Sequence, residues 1–306
     1  MLMTEGQRLQ RAHQGVMRAQ ATARHRTGER VMRLLFVVAV SYCLVFASSS
    51  AWARGITIDA VDLETLRVCA DPSNLPFSND KGEGFENEIA QLLADWLERD
   101  LVYEWFPQAI GFVRNTLSKK KCDVIIGITS GDAEVLNTNP YYRWGHVMAY
   151  LDDSGIVVDR PDHPQLAELR IGAVAGTPTN HVLHRYNLMS RVRPYNLIFD
   201  TRKQSIGRDM IKDLENGLTD IVYMAAPIAA YHAKQEGLKL VTIPLETTDQ
   251  GHGKLDFLMT MGVRAGENDW KRTLNRFLRA KKDDIQAILK KHGVPTLPLR
   301  PKRRGR

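Results

Sequence analysis

Cysteine is scarce: three in 306 residues, at positions 43, 69 and 122. That excludes a small disulfide-rich scaffold and a four-cysteine zinc site. The signatures of common chemistry are missing too. There is no Gly-x-Ser-x-Gly elbow, no Walker loop and no Cys-x-x-Cys-His haem site. Gly82-Glu-Gly84 stops one glycine short of a dinucleotide fingerprint. His181 and His184 stand three apart on an expected helix, but no further ligand accompanies them. Asp152-Asp153 and Asp283-Asp284 read as solvated acids, and His252 as a loop residue. No nucleophile with a positioned base can be named, so the reading is a non-enzyme that holds neither metal nor cofactor. What remains is 43% hydrophobic and 25% charged, a globular composition rather than a disordered one.

Long apolar runs are equally rare. The one present, Leu34 to Ala51, follows Arg30 and Arg33 and ends in Ala51-Trp52-Ala53. A basic head, an apolar middle and a small-x-small exit make a secretory signal peptide, with cleavage expected after Ala53. The competing reading, an uncleaved membrane anchor, fits the serines and the exit site less well. A lipoprotein is excluded because Tyr42 precedes Cys43. Residues 1–31 read as an over-extended start or a long basic leader. Taking away the seven arginines and two glutamates of residues 1–53 lowers the net charge from +7 to +2. The surplus then sits in the tail from Arg300 to Arg306, so no nucleic-acid surface is expected. Export leaves Cys69 and Cys122 as a pair in an oxidising compartment. They form a disulfide or remain two buried thiols.

The exported part alternates strand and helix. Strands are expected at Thr65–Ala70, Leu101–Phe106 and Asp123–Ile128, with a helix over Phe85–Leu97 and another from Phe112. The pattern restarts with strands at Gly155–Val158, Leu169–Val174, Tyr195–Phe199, Asp220–Met224 and Leu238–Ile243. Helices are expected from Gly176, over Ser205–Asn216 and over Pro227–Gln235. A late strand, Phe257–Val263, precedes a helical region, Trp270–Lys291. This is an α/β chain with mainly parallel sheets flanked by helices. Two such units place ligands between the carboxyl ends of their strands. The loops Asp71–Asp80, Thr129–Asn139, Gly176–Asn180 and Ala225–Pro227 are the expected cleft walls.

Ordered motifs carry a resemblance: LRVCADPSNLPFS, GFENEIAQLLA, CDVIIGITS, NPYYRWGHVMAY, LRIGAVAGTPT, LENGLTDIVYMAAPIAAY and MGVRAGE. Together they resemble the periplasmic solute-binding proteins of family 3, from about Thr65 to Pro295. The resemblance implies the type II, two-lobed fold, with 54–150 plus 246–306 as one lobe and 151–245 as the other. CADPSNLPFSN, GEGFENEIA and CDVIIG are similar to one branch, the quinoprotein-dehydrogenase-associated proteins of the MoxJ/XoxJ type. That branch implies a periplasmic accessory role in methanol oxidation. Its partners would be a PQQ-dependent methanol dehydrogenase and its c-type cytochrome, with PQQ and metal held by the enzyme. It implies a monomer when free, and a pairing of Cys69 with Cys122, since both lie inside the matching motifs. The alternative is a receptor for an importer of the ABC class, taking a small ligand.

Amino-acid binders of family 3 supply an arginine after the strand ending near Ile128, and an aspartate two residues before the proline matching Pro227. Here the first segment reads Thr129-Ser130-Gly131-Asp132-Ala133-Glu134-Val135, without arginine, and the second position is Ala225. A zwitterion would leave both its charges unpaired, at several kcal/mol each on the usual order for buried ions. The cleft is expected to draw on Asp71, Asn74, Phe77, Thr129, Ser130, Tyr141, Tyr142, Trp144, Thr177, Thr179, Tyr223 and Met224. For Thr177 and Thr179 the competing role is helix capping, and for the tyrosines and Met224 it is packing.

Overall fold

A computed structural model describes residues 61–197, 200–246 and 253–299. The expected signal peptide and basic tail lie outside the described residues. In chain order the first elements are β1 (Thr65–Ala70), β2 (Ser73–Asn74), β3 (Ser78–Asn79), α1 (Phe85–Leu97), β4 (Asp100–Trp105), α2 (Phe112–Asn115), β5 (Val124–Thr129), β6 (Leu136–Asn137) and β7 (Tyr142–Leu151). There follow β8 (Ile171–Val174), α3 (Thr179–Arg185), β9 (Val192–Tyr195), α4 (Ile206–Glu215), β10 (Ile221–Ala225), α5 (Ala226–Gln235) and β11 (Leu240–Pro244). β12 (Asp256–Val263), α6 (Asn268–Ala280) and α7 (Lys282–Lys291) complete the chain. Among the described residues no helix is long and apolar enough to cross a membrane.

The strands join in the order β4-β1-β5-β12-β7-β10-β8-β9, with β11 also on β7 and β6 on β12. β4, β1 and β5 run parallel, as do β10, β8 and β9. β7 is the connector. Its first half, Tyr142 to Gly145, pairs antiparallel with β12. Its second half pairs with β10 and β11. One ten-residue strand therefore belongs to both α/β lobes.

Each lobe has its own core. In the first, the α1 residues Phe85, Ile89 and Leu93 pack with Leu274 and Phe277 of α6 and Ile285 and Leu289 of α7. Side chains alternate across a strand. In β1, Val68 and Ala70 enter this core, while Cys69 faces a second one with Phe112, Leu117 and Cys122. Cys69 and Cys122 are disulfide-bonded there, with their Cα atoms 5.5 Å apart. Beside them, the buried carboxylate of Asp123 accepts from Arg67 at 2.7 and 2.8 Å and from Arg264 at 2.9 Å. The second lobe divides its apolar residues across β10. Ile221 and Tyr223 go to one face, Val222 and Met224 to the other.

Three expectations differ from the structure. Gly155 to Val158 is irregular chain, not a strand, since Gly155 turns it with φ 73°. The strand of that region lies earlier, at β7, where Arg, Gly and His interrupt the apolar pattern. The expected helical region Trp270–Lys291 is two helices, broken at Lys281. The strand expected over Tyr195–Phe199 ends at Tyr195, and its last two residues lie outside the described ones.

Candidate functional site: the cleft between the lobes

A cavity of about 610 Å³ opens where the lobes meet. That volume suits a small ligand or an inserted side chain. Asn74 and Phe77, from the loop after β1, form one wall, and Gly127, Ile128 and Thr129 of β5 form the floor. Trp144 of the shared strand and Met259 of β12 add apolar surface. Ala225 and Ile228 close the cavity from the second lobe. The walls hold position through local contacts. Phe77 packs on Phe85 at 5.3 Å between ring centroids, and Asn74 donates to Gln108 at 3.1 Å. Gly84 admits the backbone of Phe77, which a Cβ at that position would strike at 2.1 Å.

Glu86 is the unusual group of the lining. It lies on the buried face of α1 and is 8% exposed. Its carboxyl occupies the space that the missing side chain of Gly127 leaves, and a Cβ there would come within 1.8 Å of Oε1. No hydrogen bond or ion pair holds it among the described residues. Burial pushes its pKa up to about 8. Glu86 escaped the sequence reading because an acid in the first turn of a helix ordinarily complements the dipole. Its register was the available signal, since it shares a stripe with Phe85, Ile89, Ala90 and Leu93.

Of the residues expected at the cleft, Asn74, Phe77, Thr129 and Trp144 share this cavity. Asp71 is 1% exposed and sits behind the wall. Its carboxylate accepts from the backbone of Ser73 at 2.8 Å and Gln108 at 2.6 Å, and from Thr201 Oγ1 at 3.0 Å. Ser130 is held by its backbone, which donates to Leu258 at 2.8 Å. Tyr141 and Tyr142 lie in the first lobe's core, where Tyr141 donates to the Ile126 carbonyl at 3.0 Å. Tyr142 stands edge-on to Phe85 at 5.9 Å. Tyr223 donates to Met148 Sδ at 3.5 Å inside the second lobe, and Met224 packs on the opposite face of its sheet. Thr177 and Thr179 bond each other at 2.8 Å, and Thr177 also donates to the Val174 carbonyl. These hydroxyls serve the local turn, and α3 is only seven residues long.

The charges of the lining are acidic on balance. Asp132 and Glu134 lie on it, with Arg114 as the cation. Arg114 is already paired with Glu134 at 3.4 Å. Among the described residues no group of three or more His, Cys, Asp or Glu is placed to hold a metal ion.

Comparison with known proteins agrees with this architecture. Residues 66–295 match the bacterial extracellular solute-binding proteins, family 3. The Protein MoxJ of Methylorubrum extorquens is 31% identical over 255 residues, covering 78% of this chain and 83% of that protein. The crystal structure of the periplasmic binding protein XoxJ from Methylobacterium extorquens superposes with a TM-score of 0.65 at 40% identity, covering 77% of this chain and all of that one. MxaJ from Methlophaga aminisulfidivorans superposes with a TM-score of 0.66 at 30% identity, covering 76% and all of the two chains. The chain belongs to the bacterial extracellular solute-binding proteins, family 3, and within them to the MoxJ/XoxJ type.

Proposed function

We propose that this chain is a non-catalytic periplasmic accessory protein of a methanol oxidation system, exported through a cleaved signal peptide. It binds a PQQ-dependent methanol dehydrogenase and assists its maturation or activation. PQQ and the metal reside in the enzyme. One observation carries the departure from amino-acid uptake. Among the described residues the cleft lining holds one cation, Arg114, which pairs with Glu134 at the exposed rim, and Ala225 stands where an ammonium would need an acid. A closed site without those partners leaves a zwitterion's charges desolvated and unpaired.

The test is affinity capture of the tagged mature chain from periplasmic extract, with bound species identified by mass spectrometry, beside dehydrogenase activity in a strain lacking the gene. Recovery of the dehydrogenase or its cytochrome, with poorly active enzyme in the deletion strain, is the expected result. A chain recovered alone with a small molecule, and normal dehydrogenase without it, would replace this reading by importer-linked uptake.

A further inference from the structure

We infer that the cleft takes an alkylammonium group, seated on Glu86 and flanked by Phe77 and Trp144. This concerns the cleft's own chemistry and stands whether or not the dehydrogenase is the partner. Glu86 is more than nine-tenths buried, its carboxyl has no partner among the described residues, and it borders the cavity over Gly127. A buried acid without a partner is costly, and such a cost is retained where a ligand relieves it. The group that relieves it is a cation with N–H donors. Phe77 and Trp144 present ring surface, which attracts cations. Asp132 and Glu134 at the same cavity repel anions. Among the described lining residues the one cation, Arg114, pairs with Glu134 rather than with Glu86. The lack of any seat for a carboxylate separates this ligand from an amino acid. Two sources carry the group: a free amine, or a lysine side chain of a docking protein.

Binding a cation ionises Glu86, and the proton leaves to solvent. The neighbouring groups do not mask this. Tyr103 of β4, Tyr141 just ahead of β7 and Tyr142 of β7 are held above their ordinary pKa by burial, so they stay neutral. His146, also on β7, is pushed below its ordinary range by burial, which favours the neutral ring. On the far side of α1, Glu88 is bound to Lys291 and His292 of the α7 end.

The experiment titrates the mature chain with n-butylammonium by two-dimensional NMR, with n-butanol and butyrate as controls. Saturable binding is expected at Gly127 and the Trp144 indole, with neither control bound. Affinity should rise roughly fiftyfold from pH 6 to 8 and then level, because the amine stays charged throughout. Glu86→Gln should weaken it about thirtyfold or more and abolish the pH dependence. Gly127→Ala, which displaces the carboxyl without altering it, should weaken it as well. Equal binding of n-butanol, affinity falling with pH, or an unaffected Glu86→Gln variant would overturn the inference. N-acetyl-lysine-N-methylamide bound more tightly than n-butylammonium identifies a protein's lysine, and the reverse identifies a free amine. Free lysine bound more tightly than both would overturn the accessory-protein reading while leaving Glu86 as the ammonium seat.

Discussion

A single carboxyl with nothing to hold it makes a prediction about stability independent of any ligand. Glu86 has a pKa of about 8 in the folded chain and an ordinary one, about 4.3, when unfolded. Below that ordinary value both states are protonated and the group has no effect. Between the two values the unfolded chain loses its proton while the folded chain keeps it, so stability falls as pH rises. Above pH 8 the loss is complete. Glu86→Gln keeps the shape without the charge, so it should match the parent at pH 4 and exceed it at pH 8. The gain should be on the order of 3 kcal/mol, below the full linkage because the chain relaxes around a charge. Urea unfolding at both pH values checks this. An equal difference at pH 4 and 8 would mean that packing, not ionisation, separates the two side chains.

Among elements, the junction of β1 and β5 carries the first lobe. Cys69 is bonded to Cys122 just ahead of β5, and Arg67 of β1 grips Asp123. The bridge closes a loop over a separation of 53 residues, worth about 4 kcal/mol of unfolded-chain entropy in the loop-closure account. The double variant Cys69→Ala/Cys122→Ala should lose about 2–4 kcal/mol in urea unfolding while retaining its native circular dichroism. A change below about 0.5 kcal/mol would show that the salt-bridged junction suffices. Legibility also divides by element. The helix Phe85–Leu97 was readable to the residue, because its apolar positions recur at helical spacing between Gly84 and the polar Glu98-Arg99-Asp100. The buried strand at Val124 was readable from its unbroken apolar run. β7 was not, because a strand serving two lobes meets different surroundings at each end and keeps no single pattern. The segment after β1 and the end of β5 pointed to Asn74, Phe77 and Thr129, which line the cavity, because ligand sites lie at the carboxyl ends of parallel strands. Tyr142 and Tyr223 lie within strands, where alternation sends every second side chain into the core, and residue type alone cannot say which.

At the scale of the molecule, the lobes share β7 and meet again at Asp71 and Thr201. Thr201 Oγ1, from the loop before α4, lies 3.0 Å from both carboxylate oxygens of Asp71, at the exit of β1. The bond is charge-assisted and mostly shielded from water, so it contributes about 2 kcal/mol to the arrangement with the lobes together. A two-state hinge loses that preference when the donor is removed, shifting the balance roughly thirtyfold toward open forms. Thr201→Val removes the donor at nearly constant shape, and Thr201→Ser keeps it. Small-angle X-ray scattering should give a larger radius of gyration for the valine variant and an unchanged one for the serine variant. The same opening draws Ala225 and Ile228 away from Glu86, because they line its cavity from the second lobe. Solvent then reaches the carboxyl and its pKa falls toward the ordinary range. The valine variant should therefore also lose much of the pH dependence of stability argued for Glu86. If the radius grows while that dependence persists, Glu86 is buried by the first lobe alone. If neither changes, the Asp71–Thr201 bond does not set the distance between the lobes.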